Sequence, residues 1–97
     1  MTYDLEFDPR AFKEWHELTS SIKEQFKKKL AEILSNPRVE ANKLRNLKDC
    51  YKIKLRSAGY RLVYQVQDKK LVVYVIVIGK RERSSVYSQA KKRVNKQ

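Results

Sequence analysis

Between Cys50 and Gln67 apolar and polar residues alternate with a period of two, twice over. Tyr51, Ile53 and Leu55 interleave with Lys52, Lys54 and Arg56; Tyr60, Leu62, Tyr64 and Val66 interleave with Arg61, Val63 and Gln65. Side chains alternate across a strand, so the pattern predicts a β-hairpin with one buried face and one face carrying a row of cations. Ser57-Ala58-Gly59 is a short connection that places a glycine where a positive φ is needed. Like charges facing each other on a sheet are destabilising. The row therefore calls for an anionic occupant.

The other segments follow different periods. Tyr3-Asp4-Leu5-Glu6-Phe7 alternates apolar and acidic residues and predicts a short strand with one buried face. Asp8 and Pro9 have the chemistry of an N-cap and first helical residue. They start a helix to about Leu18 that buries Phe12, Trp15 and Ala11. The break at Thr19-Ser20-Ser21 restarts a second helix, with Ser21 and Glu24 at capping-box spacing. Ile22, Phe26, Leu30 and Ile33 recur at helical spacing, and Asn36-Pro37 ends the run. Residues 37–49 show no period and predict a loop. Asp68-Lys69 turns the chain into the nearly continuous apolar run from Lys70 to Gly79, the pattern of a central strand covered on both faces. Ser84 or Ser85 caps a final helix to about Val94, with Val86, Ala90 and Val94 on one side. The order β-α-α-β-β-β-α predicts an α+β domain spanning 1–97: an antiparallel sheet with an N-terminal helical hairpin on one face and a short C-terminal helix bordering the cationic face.

Charge sharpens this picture. Of the net +12, residues 1–50 contribute ten Lys/Arg against nine Asp/Glu, and residues 51–97 contribute thirteen against two, Asp68 and Glu82. The second half thus has the balance of a polyanion-binding surface, and nucleic acid is the expected partner. A membrane surface is disfavoured, because the cations fall on strand patterns and not on an amphipathic helix. The opening MTYDLEFDPR shows no signal-peptide pattern. Cys50, the lone cysteine, suits a reducing, cytoplasmic setting and is expected to be a packing residue.

Catalytic options are few. His16 is the only histidine, next to Trp15, and is expected at the surface. No metal-ligand motif, acid cluster or glycine-rich phosphate loop is present, so no metal or other cofactor is expected. Lys, Arg and Tyr remain. They suffice for metal-independent RNA cleavage: the 2′-hydroxyl attacks, a base takes its proton, the 5′-oxygen leaves protonated, and cations stabilise the crowded phosphate. Neighbouring cations at Lys52, Lys54, Arg61 and Arg81 would lower a Lys or Tyr pKa into a useful range. Cationic strands ordinarily bind phosphate without cutting it, and Tyr87 shares a stripe with Ala90 and Val94. Pattern alone therefore favours a non-catalytic nucleic-acid binder.

CYKIKLRSAGYRLVYQV followed by IGKRERSSVYSQA closely resembles the RelE toxins of bacterial RelBE toxin–antitoxin systems, and FKEWHEL, KKKL and ANKLR extend the likeness over nearly the whole chain. The resemblance implies a microbial-RNase-like fold and a metal-independent endoribonuclease. It would enter the 70S ribosomal A site, contact ribosomal RNA and cut the mRNA codon there, leaving a 2′,3′-cyclic phosphate and a 5′-hydroxyl. It implies catalytic roles for Lys52, Lys54, Arg61, Arg81 and Tyr87. Tyr87 or Lys54 activates the 2′-hydroxyl, Arg81 stabilises the leaving group, and Arg61 and Lys52 hold the scissile phosphate. Arg45, Arg56, Lys80 and Arg83 would contact RNA without doing chemistry. It further implies a RelB-like antitoxin, operator DNA bound only through that complex, and inhibition by displacement of the final helix. A gyrase-inhibiting toxin similar to ParE and a non-catalytic ribosome or RNA binder stand as alternatives.

Overall fold

The computed structural model describes residues 2–80 and 85–95. Strand β1 (Asp4–Phe7) leads into helices α1 (Pro9–His16) and α2 (Ser20–Ile33). A 3-10 turn, Glu40–Asn42, precedes strands β2 (Cys50–Leu55), β3 (Tyr60–Gln67) and β4 (Val72–Lys80), and helix α3 (Ser85–Asn95) follows. The α+β order is the expected one. The sheet order is β1-β4-β3-β2, antiparallel among β2, β3 and β4, but β1 pairs parallel with β4. The sheet is therefore mixed, not purely antiparallel: the chain leaves β1 through the helical hairpin and returns to pair its last strand against it.

Local chemistry explains the elements. Asp8 caps α1 by accepting the Arg10 N–H at 2.9 Å, with Pro9 at the first turn. Thr19, not Ser21, caps α2; its hydroxyl accepts the Ile22 N–H at 3.4 Å, so the helix starts at Ser20. Gly59 has φ +70, as the hairpin connection requires.

The sheet buries both faces. On one, Ala11, Leu18, Phe26 and Leu30 of the helical hairpin pack against Tyr51, Ile53, Leu55, Leu62, Tyr64, Val66, Val73, Val75 and Ile78. Each large side chain so buried stabilises the fold by roughly 1.5–3 kcal/mol. Phe12, expected inside, is 49% exposed; it lies off the inward stripe of α1 and packs edge-on to Phe7 and His16. Leu5 of the edge strand is also exposed. On the other face Val86 and Ala90 of α3 cover Leu47, Cys50, Val63, Ile76 and Val77. Ile76 has no partner in β3, since Val63 pairs with Val77 and Tyr64 with Val75. This bulge lets the neighbours Ile76 and Val77 face the same side and returns Gly79 to the cationic face. Among the described residues no helix is long and apolar enough to cross a membrane.

Candidate active site

The cationic row lies on the face that α3 borders. Lys54 is paired directly opposite Arg61, and Arg61 opposite Gly79, so one row crosses three strands. Lys52, two residues along β2 from Lys54, faces Val63 in the next row. Gly79 closes the row without a side chain, and Val86 fills the place one would take: a Cβ there would meet Val86 Cγ2 at 2.8 Å. The first turn of α3 thus rests on the strand backbone, which brings the next residue, Tyr87, over Arg61. Arg61 Nη1 donates to Tyr87 Oη at 3.1 Å, and the guanidinium carbon is 5.3 Å from the ring centroid.

Two features mark this cluster as prepared for an anion. Arg61 Nε is buried and has no hydrogen-bond partner among the described residues, and buried donors are ordinarily satisfied. The Lys54 ammonium is held below its ordinary pKa, first by the Lys52 charge, then by partial desolvation and by Arg61 and Arg56. A phosphate placed against Lys54 and Arg61 would relieve the like-charge opposition. Lys54, Leu55, Arg56, Tyr60 and Arg61 line a cleft of about 270 Å³. A larger groove of about 680 Å³ runs round the edge of β2 toward α2 and shares Lys54 and Arg56.

The structure thus brings together Lys52, Lys54, Arg61 and Tyr87. Arg56 is exposed at the hairpin turn, and Lys80 is exposed at the end of β4, opposite Tyr60. Arg45 is exposed on the loop before β2 and does not line the cleft. Arg81 and Arg83 lie outside the described residues. Tyr87 is half-buried beside the α3 core and so belongs to packing and site together. Cys50 is fully buried and its thiol is pushed up to about 12 by that burial, as for a packing residue. Sequence reasoning took Gly79 only as the end of the apolar run and gave no role to Glu14 or Arg93. The signal for Arg93 was its spacing, three residues beyond Ala90 on the inward stripe.

Residues 5–85 match the family model of the ParE toxin of the type II toxin–antitoxin system parDE. That match sets the fold and its cationic face among the toxins of type II toxin–antitoxin systems. The chain is also 67% identical over 94 residues to the mRNA interferase toxin RelE of Escherichia coli (strain K12), spanning 97% of this chain and 99% of the relative. A double arginine-to-alanine mutant of E. coli RelE in the free state superposes with a TM-score of 0.90 at 65% identity, over 97% of this chain and 99% of that one. RelE in the intact E. coli RelBE toxin–antitoxin complex superposes with a TM-score of 0.80 at 67% identity, over 84% of this chain and 99% of that one. The chain belongs to the RelE family of the RelE/ParE toxins.

Proposed function

We propose that this chain is a cytoplasmic toxin that cuts mRNA in the ribosomal A site without a metal ion. The observation that carries the reading is the row Lys54–Arg61 with Tyr87 hydrogen-bonded above it. The names of its RelE relatives support mRNA as the substrate. The scissile phosphate lies against Arg61 and Lys52. The 2′-hydroxyl loses its proton to Lys54, whose lowered pKa leaves more of it as free amine, or to Tyr87. The 2′-oxygen bonds to phosphorus, the bond from phosphorus to the 5′-oxygen breaks, and that oxygen takes a proton from water and leaves as a hydroxyl. Arg81, carried over from the family resemblance, stabilises the leaving oxygen by charge, since guanidinium stays protonated in proteins. Arg45, Arg56, Lys80 and Arg83 hold RNA backbone.

The free toxin cuts RNA slowly, because the ribosome supplies the orientation of the substrate. A RelB-like antitoxin is the partner, supported by the RelBE complexes among the similar structures, and the pair represses its own operon through the antitoxin's grip on DNA. The test maps mRNA ends on translating ribosomes with wild type, Arg81→Ala and Tyr87→Phe. Codon-phased cuts that both variants lose are expected. Uncut mRNA with inhibited DNA supercoiling would turn the reading to a ParE-like gyrase inhibitor, which the family model keeps in view. Uncut mRNA with retained ribosome binding would turn it to a non-catalytic binder.

A further inference from the structure

Helix α3 is held at two points. At its start Val86 packs against the bare backbone of Gly79. Two turns later Arg93 points inward and is buried, 9% exposed. Its Nη1 donates to Glu14 Oε1 at 2.9 Å and to the Ile76 carbonyl at 2.7 Å; its Nη2 donates to Glu14 Oε2 at 3.1 Å and to Gln89 Oε1 at 3.4 Å. Glu14 Oε1 also accepts the Ile78 N–H at 3.1 Å.

The outer edge of β4 explains why the pair is there. Its partner β1 stops at Phe7, and the Asp8 N–H takes the Val75 carbonyl at 2.8 Å as the chain turns into α1. Beyond that point the bulge leaves the Ile76 carbonyl and the Ile78 N–H with no strand to pair with. Backbone groups without partners are costly when buried. Arg93 and Glu14 cap one each, and in doing so join α3, α1 and β4 at a single node. Val86 and Ala90 are small and offer little shape to fix how the helix is rotated or how far it slides. A bidentate guanidinium–carboxylate pair tied to two backbone groups has one geometry. Removing one partner of such a pair leaves the other buried and uncompensated.

We infer that Glu14 and Arg93 are positioning residues: their pair seats α3 on the bulge of β4 and thereby sets Tyr87 against Arg61. The inference rests on the reading of Tyr87 as part of the active site, so its test has one arm that needs no catalysis. Amide hydrogen exchange is followed by NMR in the full-length free toxin. In Glu14→Gln the amides of residues 86–94 exchange about tenfold or more faster, while those of β3 stay within about twofold of wild type. Arg93→Lys keeps the charge but not the fork and gives an intermediate acceleration; it carries the same comparison if Glu14→Gln fails to fold. On translating ribosomes kcat falls about tenfold in Glu14→Gln with KM for the ribosome unchanged, the signature of a misplaced group. Unchanged exchange in α3 overturns the inference. Equal acceleration in β3 overturns it too, since that is general loosening. Faster α3 exchange with undiminished cleavage upholds the latch and removes Tyr87 from the chemistry instead.

Discussion

Arg38, on the loop after α2, and Arg61, in β3, lie at opposite ends of the sheet, and the fold treats them in opposite ways. Arg38 Nη1 donates to Asp49 Oδ1 at 3.1 Å and to Tyr51 Oη at 3.2 Å, and its Nη2 to Asp68 Oδ2 at 2.6 Å. Asp49 precedes β2 and Asp68 follows β3, so two carboxylates and a phenol tie the ends of three segments around one cation. Arg61, at the hairpin end, has no carboxylate beside it among the described residues. Among the described residues it faces Lys54 across the strand pair, reaches one tyrosine, and keeps a buried Nε–H without a partner. A cation whose charge is matched inside the fold is structural. A cation set among other cations waits for charge from outside, and that difference separates the scaffold from the site.

The largest expected effect tests this contrast directly. Arg61→Ala lowers codon-phased cleavage on ribosomes by on the order of 100-fold or more, the scale of losing a charge-stabilising donor. Its thermal stability changes by less than about 1 kcal/mol, because the lost hydrogen bond is offset by relief of the repulsion from Lys54. Arg38→Ala does the reverse: cleavage per folded molecule is unchanged and stability falls by on the order of 1 kcal/mol, modest because the ion pairs are more than a third exposed on at least one side. Quantified mRNA ends and melting curves on both variants decide it. Loss of cleavage in Arg38→Ala at full folding would erase the distinction.

The alternation in β2 and β3 made the cationic end legible from the sequence, since period two separates core from charge without tertiary knowledge. Asp8-Pro9 likewise announced α1, and the apolar run announced β4. What stayed hidden depends on contacts remote in sequence. The bulge at Ile76 shifts the phase of β4, and an apolar run on both sides gives no alternation from which to notice a shift. Glu14 and Arg93 meet because that bulge frees two backbone groups, and Arg38 finds Asp68 only once β3 is paired. The parallel pairing of β1 with β4 leaves no mark in a four-residue strand. Among the candidate site residues, the sequence assigned the cations to a face; the fold showed that Gly79 is what lets Tyr87 reach them.

A second, smaller effect sharpens the description of the cationic end as a coupled field. In the proposed reaction the neutral amine of Lys54 is the form that would accept the proton, and the Lys52 charge is the first cause that holds its pKa down. Lys52→Gln therefore moves the rising limb of the pH–rate profile to higher pH, beyond its separate loss of phosphate binding. Single-turnover cleavage rates on programmed ribosomes across the alkaline range show the shift, which shrinks as added salt screens Lys52 in the wild type. A limb that stays in place in Lys52→Gln removes Lys54 as the base and leaves Tyr87.

The smallest effect concerns the acid response of the other end. The Asp68 carboxylate is held below its ordinary pKa, first by the Tyr3 hydroxyl, which donates to Oδ1 at 2.6 Å, and then by Arg38. A carboxylate depressed in the folded state contributes stability above its unfolded pKa of about 3.9, and the contribution fades as pH falls through the lower folded value. Asp8, held down chiefly by Arg10, adds to the same limb. Tyr3→Phe removes the first cause and brings the folded value of Asp68 back toward the unfolded one. The variant is then slightly less stable than wild type at neutral pH, loses less on acidification, and meets the wild-type curve once Asp68 is protonated in both. Melting temperatures between about pH 7 and about pH 3 trace that convergence. Arg61 is not among the groups that hold Asp68 or Asp8 down, so Arg61→Ala leaves the limb unchanged. Parallel curves for Tyr3→Phe and wild type would mean that the Tyr3 hydroxyl does not hold Asp68 down, and would leave Arg38 as the partner that does.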